Sequence, residues 1–171
     1  MLNIRLYQSV PYSCPYIPQK IAHHFTTEPN LGLSCDIYSH LIAQGFRRAG
    51  DRIHRPNCTD CKQCVSLRVP VSGFDANRRQ RRVMNKNRHL SVRVVSSPNY
   101  LQYISLYERY IRHRHPETES MQNALETFEA FLFSTWSETF SVEFCLPSGQ
   151  LACVAICDPL KHGWSAVYTF F

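Results

Sequence analysis

Cys58-Thr-Asp-Cys61-Lys-Gln-Cys64 sets three cysteines at a constant spacing. Gaps of two residues let successive thiolates turn back on one point, as a tetrahedral metal or an iron–sulfur cluster requires. A fourth ligand completes such a site. Cys14, in the turn-rich stretch Ser13-Cys14-Pro15-Tyr16-Ile17-Pro18, is the leading choice, with His54 as its substitute. A metal held by Cys14, Cys58, Cys61 and Cys64 would tie the start of the chain to a distant loop and organise a subdomain around itself. Thiolate-only ligation suits zinc and an iron–sulfur cluster alike, and the sequence does not choose. A redox dithiol is the competing reading of a Cys-x-x-Cys pair, and the third cysteine argues against it. Cys145, Cys153 and Cys157 stand in apolar, strand-like runs and read as small buried hydrophobes, as does Cys35.

With 171 residues, 44% of them hydrophobic, the chain can build one core or a metal-stapled module joined to a larger domain. No segment approaches the roughly 20 apolar residues that span a bilayer. Met1-Leu-Asn-Ile-Arg-Leu-Tyr-Gln8 lacks the basic start, long apolar run and cleavage site of a secretory signal. The eight cysteines therefore read as reduced or metal-bound thiols in a cytoplasmic protein. Charge is divided unevenly. Residues 1–93 hold 15 of the 19 Lys and Arg and 5 of the 13 acids, a balance of +10, whereas residues 94–171 hold 4 bases and 8 acids, −4. The first half is built for a polyanion.

Residues 1–72 read as a loop-rich, cysteine-rich module, with turn signals at Pro11, Pro15, Pro18, Pro29 and Pro56. One amphipathic helix is expected near Asp36–Gln44, ended by Gly45, and a short edge strand at Val65–Val71, interrupted by Pro70. Residues 73–88 carry a basic helix that begins after Asp75 as N-cap and runs through Asn77–Asn87. No acid occurs between Ala76 and Tyr107, while Arg78, Arg79, Arg81, Arg82, Lys86, Arg88 and Arg93 do. Like charge at that density repels itself unless an anion neutralises it, and arginine suits bidentate contact with phosphate or carboxylate. Arg47, Arg48, Arg52 and Arg55 form a second cluster beside the cysteine loop.

Residues 89–171 change pattern. A β-branched run at Leu90–Val95 precedes two amphipathic helices, Asn99–His113 (Tyr100, Ile104, Tyr107, Ile111) and Glu119–Ser134 (Met121, Leu125, Phe128, Leu132). Three strands follow, Phe140–Leu146, Leu151–Cys157 and Trp164–Phe171, with turns at Pro147-Ser148-Gly149 and His162-Gly163. His113 and His115 close a helix, where a cation suits the dipole. The fold class is α+β.

Several motifs occur in a fixed order: Cys14-Pro-Tyr-Ile-Pro18, Gly45-Phe-Arg-Arg-Ala-Gly50, His54-Arg-Pro-Asn-Cys58 through Cys64, Val65-Ser-Leu-Arg-Val-Pro-Val71, Phe74-Asp-Ala-Asn-Arg-Arg-Gln-Arg-Arg82, Leu106-Tyr-Glu-Arg-Tyr110 and Ser165-Ala-Val-Tyr-Thr-Phe-Phe171. Over nearly the whole chain this resembles the bacterial aspartate/glutamate leucyltransferases, relatives of the arginyl-tRNA–protein transferases. The resemblance implies a cysteine-rich region followed by an acetyltransferase-like (GNAT) domain, of which the strand–helix–helix–three-strand order is the first half. It also implies transfer of leucine from charged tRNA to proteins beginning with Asp or Glu, marking them for degradation by the N-end rule pathway. The partners would be Leu-tRNA and those acceptor proteins, with no DNA and no membrane, and no acetyl-CoA as cofactor. Family members continue beyond the Tyr-Thr-Phe-Phe strand, so the chain reads as the N-terminal part of a longer pattern.

In that frame Arg47, Arg48, Arg78 and Arg81 would meet the acidic side chain of the acceptor, and Arg55, Arg79, Arg82 and Lys86 the RNA phosphates. Tyr168 would donate to the developing oxyanion, with a stacking tyrosine as its other reading. Asp158 would accept a proton, or simply form a turn before Pro159. Two readings from other classes compete: an inactive metal-stapled RNA-binding module and a cluster-based redox sensor.

Overall fold

The structure is a computed structural model that describes residues 4–28, 31–97, 99–114 and 124–171. Its first unit is built on a four-stranded antiparallel sheet, order β1-β4-β6-β5, from β1 (Leu6–Gln8), β4 (His24–Thr27), β6 (Arg52–Pro56) and β5 (Arg47–Ala49). A small ribbon of β2 (Tyr12–Ser13) and β3 (Ile21–Ala22) stands beside it. Helix α1 (Cys35–Ala43) starts where the Ser34 hydroxyl accepts the Ile37 amide and stops before Gly45, whose φ of +86° suits a residue without Cβ. Tyr38, Leu41, Phe46 and Ile53 are buried between helix and sheet, with Trp136 and Leu160 from the second half packed on them.

The second unit is an antiparallel sheet of order β10-β9-β8-β7, from β7 (Ser91–Val95), β8 (Phe140–Cys145), β9 (Leu151–Leu160) and β10 (Gly163–Phe170). Helices α3 (Tyr100–Arg114) and α4 (Ala124–Leu132) cover one face. Tyr103, Leu106, Tyr107, Phe128 and Leu132 from the helices close on Val154, Ile156 and Phe170 from the strands. Burying each such side chain favours folding by about 1.5–3 kcal/mol. Ser141, Glu143 and Asp158 interrupt this apolar pattern on the strands. The buried Glu143 carboxylate accepts the Tyr103 hydroxyl at 2.5 Å and Arg93 at 2.7 Å. Between the units, α2 (Arg78–Lys86) is exposed along its whole length.

The α+β class and the strand–helix–helix–three-strand order agree with the sequence reading. Four details differ. Residues 1–72 hold a sheet where loops were expected, because strands of two to five residues carry too little alternation to register as a pattern. Among the described residues Val65–Val71 pairs with no strand. Its backbone hydrogen bonds are local, the Val65 amide to the Gln63 carbonyl at 3.0 Å and the Gly73 amide to the Pro70 carbonyl at 3.2 Å. The Ser66 hydroxyl reaches the Gly45 carbonyl at 3.4 Å and Arg68 the Ala43 carbonyl, while Val65, Leu67, Val69 and Val71 are exposed. The N-cap of α2 is Asn77, in a reciprocal capping box with Gln80, while Asp75 instead faces Arg81 at 3.6 Å. Cys35 is exposed rather than buried. Pro29, His115, Glu119, Met121 and the Leu125 side chain lie outside the described residues.

Candidate functional site

Strand alternation sends Arg47 outward from β5 and Arg48 inward. Arg48 and Asp158 form an ion pair with both side chains at 0% exposure, bidentate through Nε and through Nη2 at 2.7 Å. Tyr38 and Thr139 each donate a hydroxyl to the same carboxylate at 2.7 Å, and Arg48 also donates to the Leu132 carbonyl at 3.0 Å. Burial, with the charge of Asp158 beside it, pushes the Tyr38 hydroxyl far above its ordinary pKa. These groups use up the lone pairs of Asp158, so it is neither a free proton acceptor nor a turn residue. β9 runs straight through it to Leu160. Arg48 is likewise withdrawn from any phosphate or acidic acceptor. The pair fastens β5 and α1 to β9, a structural role.

Three of the four expected cysteine ligands, Cys14, Cys58 and Cys64, lie within electrostatic reach of one residue. Tyr12, in β2, has its hydroxyl pKa raised by burial, then by the thiol groups of Cys58, Cys14 and Cys64. The Ile17 amide donates to Cys14 Sγ at 3.4 Å, and the Cys58 thiol donates to the His23 carbonyl at 3.6 Å. His24 and His54 stack edge to face at 5.8 Å close by. Burial first, then His24 and Arg47, hold the His54 pKa below its usual value. An all-thiolate donor set suits zinc or an iron–sulfur cluster. Among the described residues, however, no three His, Cys, Asp or Glu side chains converge closely enough to hold an ion.

The remaining basic residues are presented to solvent. Arg47 is exposed on β5, and Arg55 lies 4.8 Å over the Phe46 ring while donating to the Gln44 carbonyl. Arg78, Arg79, Arg81, Arg82 and Lys86 all line α2, whose one nearby carboxylate among the described residues is the exposed Asp75. Tyr168 lies on β10, where a register shift between Ala166 and Tyr168 marks a bulge. Such a bulge re-aims the side chains beside it. Its ring packs against Tyr110 at 6.1 Å and Phe131 at 5.6 Å. Burial, then Tyr110, raises its pKa strongly, so the hydroxyl keeps its proton.

Comparison with known proteins gives this arrangement a context. Family models described as arginine-tRNA-protein transferase, N terminus, and arginine-tRNA-protein transferase, C terminus, match residues 12–82 and 102–171. An aspartate/glutamate leucyltransferase of Pseudomonas fluorescens is 36% identical over 171 residues, all of this chain and 72% of the relative. The chain belongs to the arginine-tRNA–protein transferase family. Other members similar to it are the aspartate/glutamate leucyltransferases of Saccharophagus degradans (36% identical, covering 99% of this chain and 72% of the relative) and Stenotrophomonas maltophilia (37%, 99% and 69%). Within this family member, two features of the structure escaped the sequence reading. The Arg48–Asp158 pair joins residues 110 apart, with no local signal. A cleft at the end of α3, beside Tyr110, was read only as a helix terminus, although Arg109, Arg112 and Arg114 are three of the four bases in residues 94–171.

Proposed function

We propose that this chain transfers leucine from Leu-tRNA to the N-terminal amine of cytoplasmic proteins beginning with Asp or Glu, feeding them to N-end rule degradation. The observation that carries the reading is a family match spread over both halves of the chain. With it goes an arginine-rich helix in which, among the described residues, Arg81 alone has a carboxylate within ion-pair distance, a surface that suits RNA. We place residues 89–171 in the GNAT class. The support is one strand, two helices on one face and three antiparallel strands in consecutive order. Residues 1–72 and the basic segment 73–88 would serve it as substrate-binding parts. No helix among the described residues is long and apolar enough to cross a membrane.

The reaction requires little covalent work from the protein. The aminoacyl ester is already activated. The acceptor amine attacks the ester carbonyl, a tetrahedral oxyanion forms, and its collapse makes the amide and releases the tRNA ribose hydroxyl. Holding amine and ester in line supplies several orders of magnitude. Tyr168, kept protonated, is the proposed hydrogen-bond donor to the oxyanion. Arg47, exposed on β5, is the candidate for the acidic side chain of the acceptor; α2 and Arg55 take RNA phosphates.

A metal at Cys14, Cys58, Cys61 and Cys64 is part of the proposal. It is supported by the spacing of Cys58, Cys61 and Cys64 and by Cys14, Cys58 and Cys64 all acting on the Tyr12 hydroxyl, and it requires the thiols to draw closer together. When bound, it would supply folding energy rather than chemistry. Purified protein should then carry about one zinc, or show the visible absorption of an iron–sulfur cluster. Cys61→Ser should lose the metal and melt at a lower temperature; unchanged melting without metal in either protein would remove the site from the account.

Labelled leucine should pass from Leu-tRNA to a peptide beginning with Asp or Glu, and not to one beginning with Lys. Absence of transfer to all of them, with tRNA binding intact, would leave an RNA-binding module instead.

A further inference from the structure

A second pocket lies at the end of the sheet where Pro159 of β9 and Trp164 of β10 stand opposite one another. The start of α3, the segment between α4 and β8 and the first residue of β8 complete its wall. It has a volume of about 540 Å³ and is lined by Tyr100, Phe133, Ser137, Glu138, Phe140 and Trp164, among others. Two ring pairs belong to that lining. Tyr100 and Phe133 have centroids 3.9 Å apart, and Phe140 and Trp164 meet edge to face at 5.0 Å.

The charge of the pocket has one sign. Glu138 is the single charged side chain among the lining residues, which include no Lys, Arg or His. Two of the hydroxyls there are already engaged, Ser134 with Asp51 at 2.9 Å and Thr139 with Asp158 at 2.7 Å. Glu129, on α4, adds a second negative charge near Tyr100. Burial first, then this carboxylate, raises the Tyr100 pKa, so its hydroxyl keeps its proton. Elsewhere Asp36, Asp75, Glu108, Glu143 and Asp158 each have a Lys or Arg within ion-pair distance. Glu138 has none among the described residues, in a chain whose net charge is +6.

That lining selects the chemistry of its occupant. An anion is repelled, and a neutral apolar molecule leaves the carboxylate facing water alone. A bare divalent ion needs several more oxygen ligands than one carboxylate supplies. An organic cation satisfies both halves of the pocket: the carboxylate answers its charge, and the ring faces replace the water it gives up. We infer that the pocket lined by Tyr100, Phe133, Glu138, Phe140 and Trp164 binds an alkylammonium or guanidinium group, carried by a Lys or Arg side chain of a polypeptide or by a free amine. This goes beyond the transferase reading and does not rest on it.

The whole chain is titrated by calorimetry with butylguanidinium and, as the uncharged control, pentanol. The guanidinium should bind about tenfold more tightly than the alcohol. Glu138 is exposed, so Glu138→Gln should melt with the native chain while the guanidinium falls to the affinity of the alcohol. Trp164→Leu, scored only if its melting is unchanged, should weaken both probes. Equal affinity of the native chain for the two probes, or guanidinium binding that survives Glu138→Gln, would overturn the inference. So would guanidinium binding indifferent to Trp164→Leu, which marks a plain surface ion pair. Two peptides, Asp-Ala-Ala-Lys-Ala-Ala and its counterpart with norleucine for lysine, decide the source. A lysine peptide that binds more tightly than both its counterpart and butylammonium assigns the pocket to a polypeptide; one no better than butylammonium assigns it to a free amine. No tRNA enters these titrations, so their failure and the failure of leucine transfer are separate results.

Discussion

Arg47 and Arg48 are neighbours of identical chemistry with opposite fates, and the cause is strand periodicity. As a pair of basic residues they read as phosphate ligands; as residues of β5 one faces solvent and the other faces Asp158. Breaking a buried, fully hydrogen-bonded pair leaves an uncompensated charge, so Arg48→Met or Asp158→Asn should each cost about 3–5 kcal/mol. The combined Arg48→Met/Asp158→Leu variant should recover much of this in denaturant titration, and a double loss equal to the sum would deny that the two side chains act as a pair. Gly50, at φ +59°, donates its amide to the Phe131 carbonyl at 2.7 Å, and a Cβ there would stand 1.9 Å from the Ala130 carbonyl. Gly50→Ala should destabilise by about 1–3 kcal/mol through forced separation of β5 from α4. Asp51 gives a pH signature. Burial opposes its charge, but the Thr135 amide and the Ser134 and Thr135 hydroxyls outweigh that and hold its carboxyl below the ordinary range. The unfolded carboxyl therefore takes up a proton at higher pH than the folded one. This part of the stability is present above the unfolded pKa and is lost as pH falls through the folded value. Asp51→Asn should melt with a shallower dependence below pH 5 or so than the native chain; parallel curves would contradict the assignment.

At the scale of elements, sequence was most readable where periodicity ran longest. The two helices and three strands of the second half follow long apolar patterns; α3, β8 and β10 keep their expected bounds to about one residue, β9 runs on to Leu160, and the expected start of the second helix lies outside the described residues. The first half was harder because short strands pair across long intervals, as β1 does with β4 and β4 with β6. Val65–Val71 failed for a related reason: it has strand composition and no partner strand, and composition cannot supply one. The candidate site divides the same way. The arginines of α2 were legible because no acid interrupts them, whereas the Arg109–Arg114 rim lay hidden in a half of the chain whose net charge is negative. Helix α2 has no buried residue, so its local devices hold it together. Asn77→Ala should remove the capping box at a cost of about 1 kcal/mol to the helix, seen as faster amide exchange in α2 with the global melting unchanged. Arg81→Glu/Arg82→Glu should leave the fold intact and flatten the log–log salt dependence of tRNA binding by about two units. An unchanged slope would mean that α2 does not touch the phosphates.

The whole molecule is organised by the two ends of its second sheet. At one end Arg48, Tyr38 and Thr139 close on Asp158, and the cysteine-rich unit is locked on through Trp136 and Leu160. At the other end α2, exposed along its length, leads into the start of β7. The proposed function divides along that separation: one end holds the units together, and the arginines of the other are the proposed contacts for a charged polynucleotide. The central claim is that the exposed arginines of α2 hold the phosphates of a bound tRNA. Phosphate footprinting of bound Leu-tRNA tests it most directly. A protected stretch of phosphates should appear on the native chain and be lost in Arg81→Glu/Arg82→Glu. A footprint that this variant leaves unaltered would contradict the account.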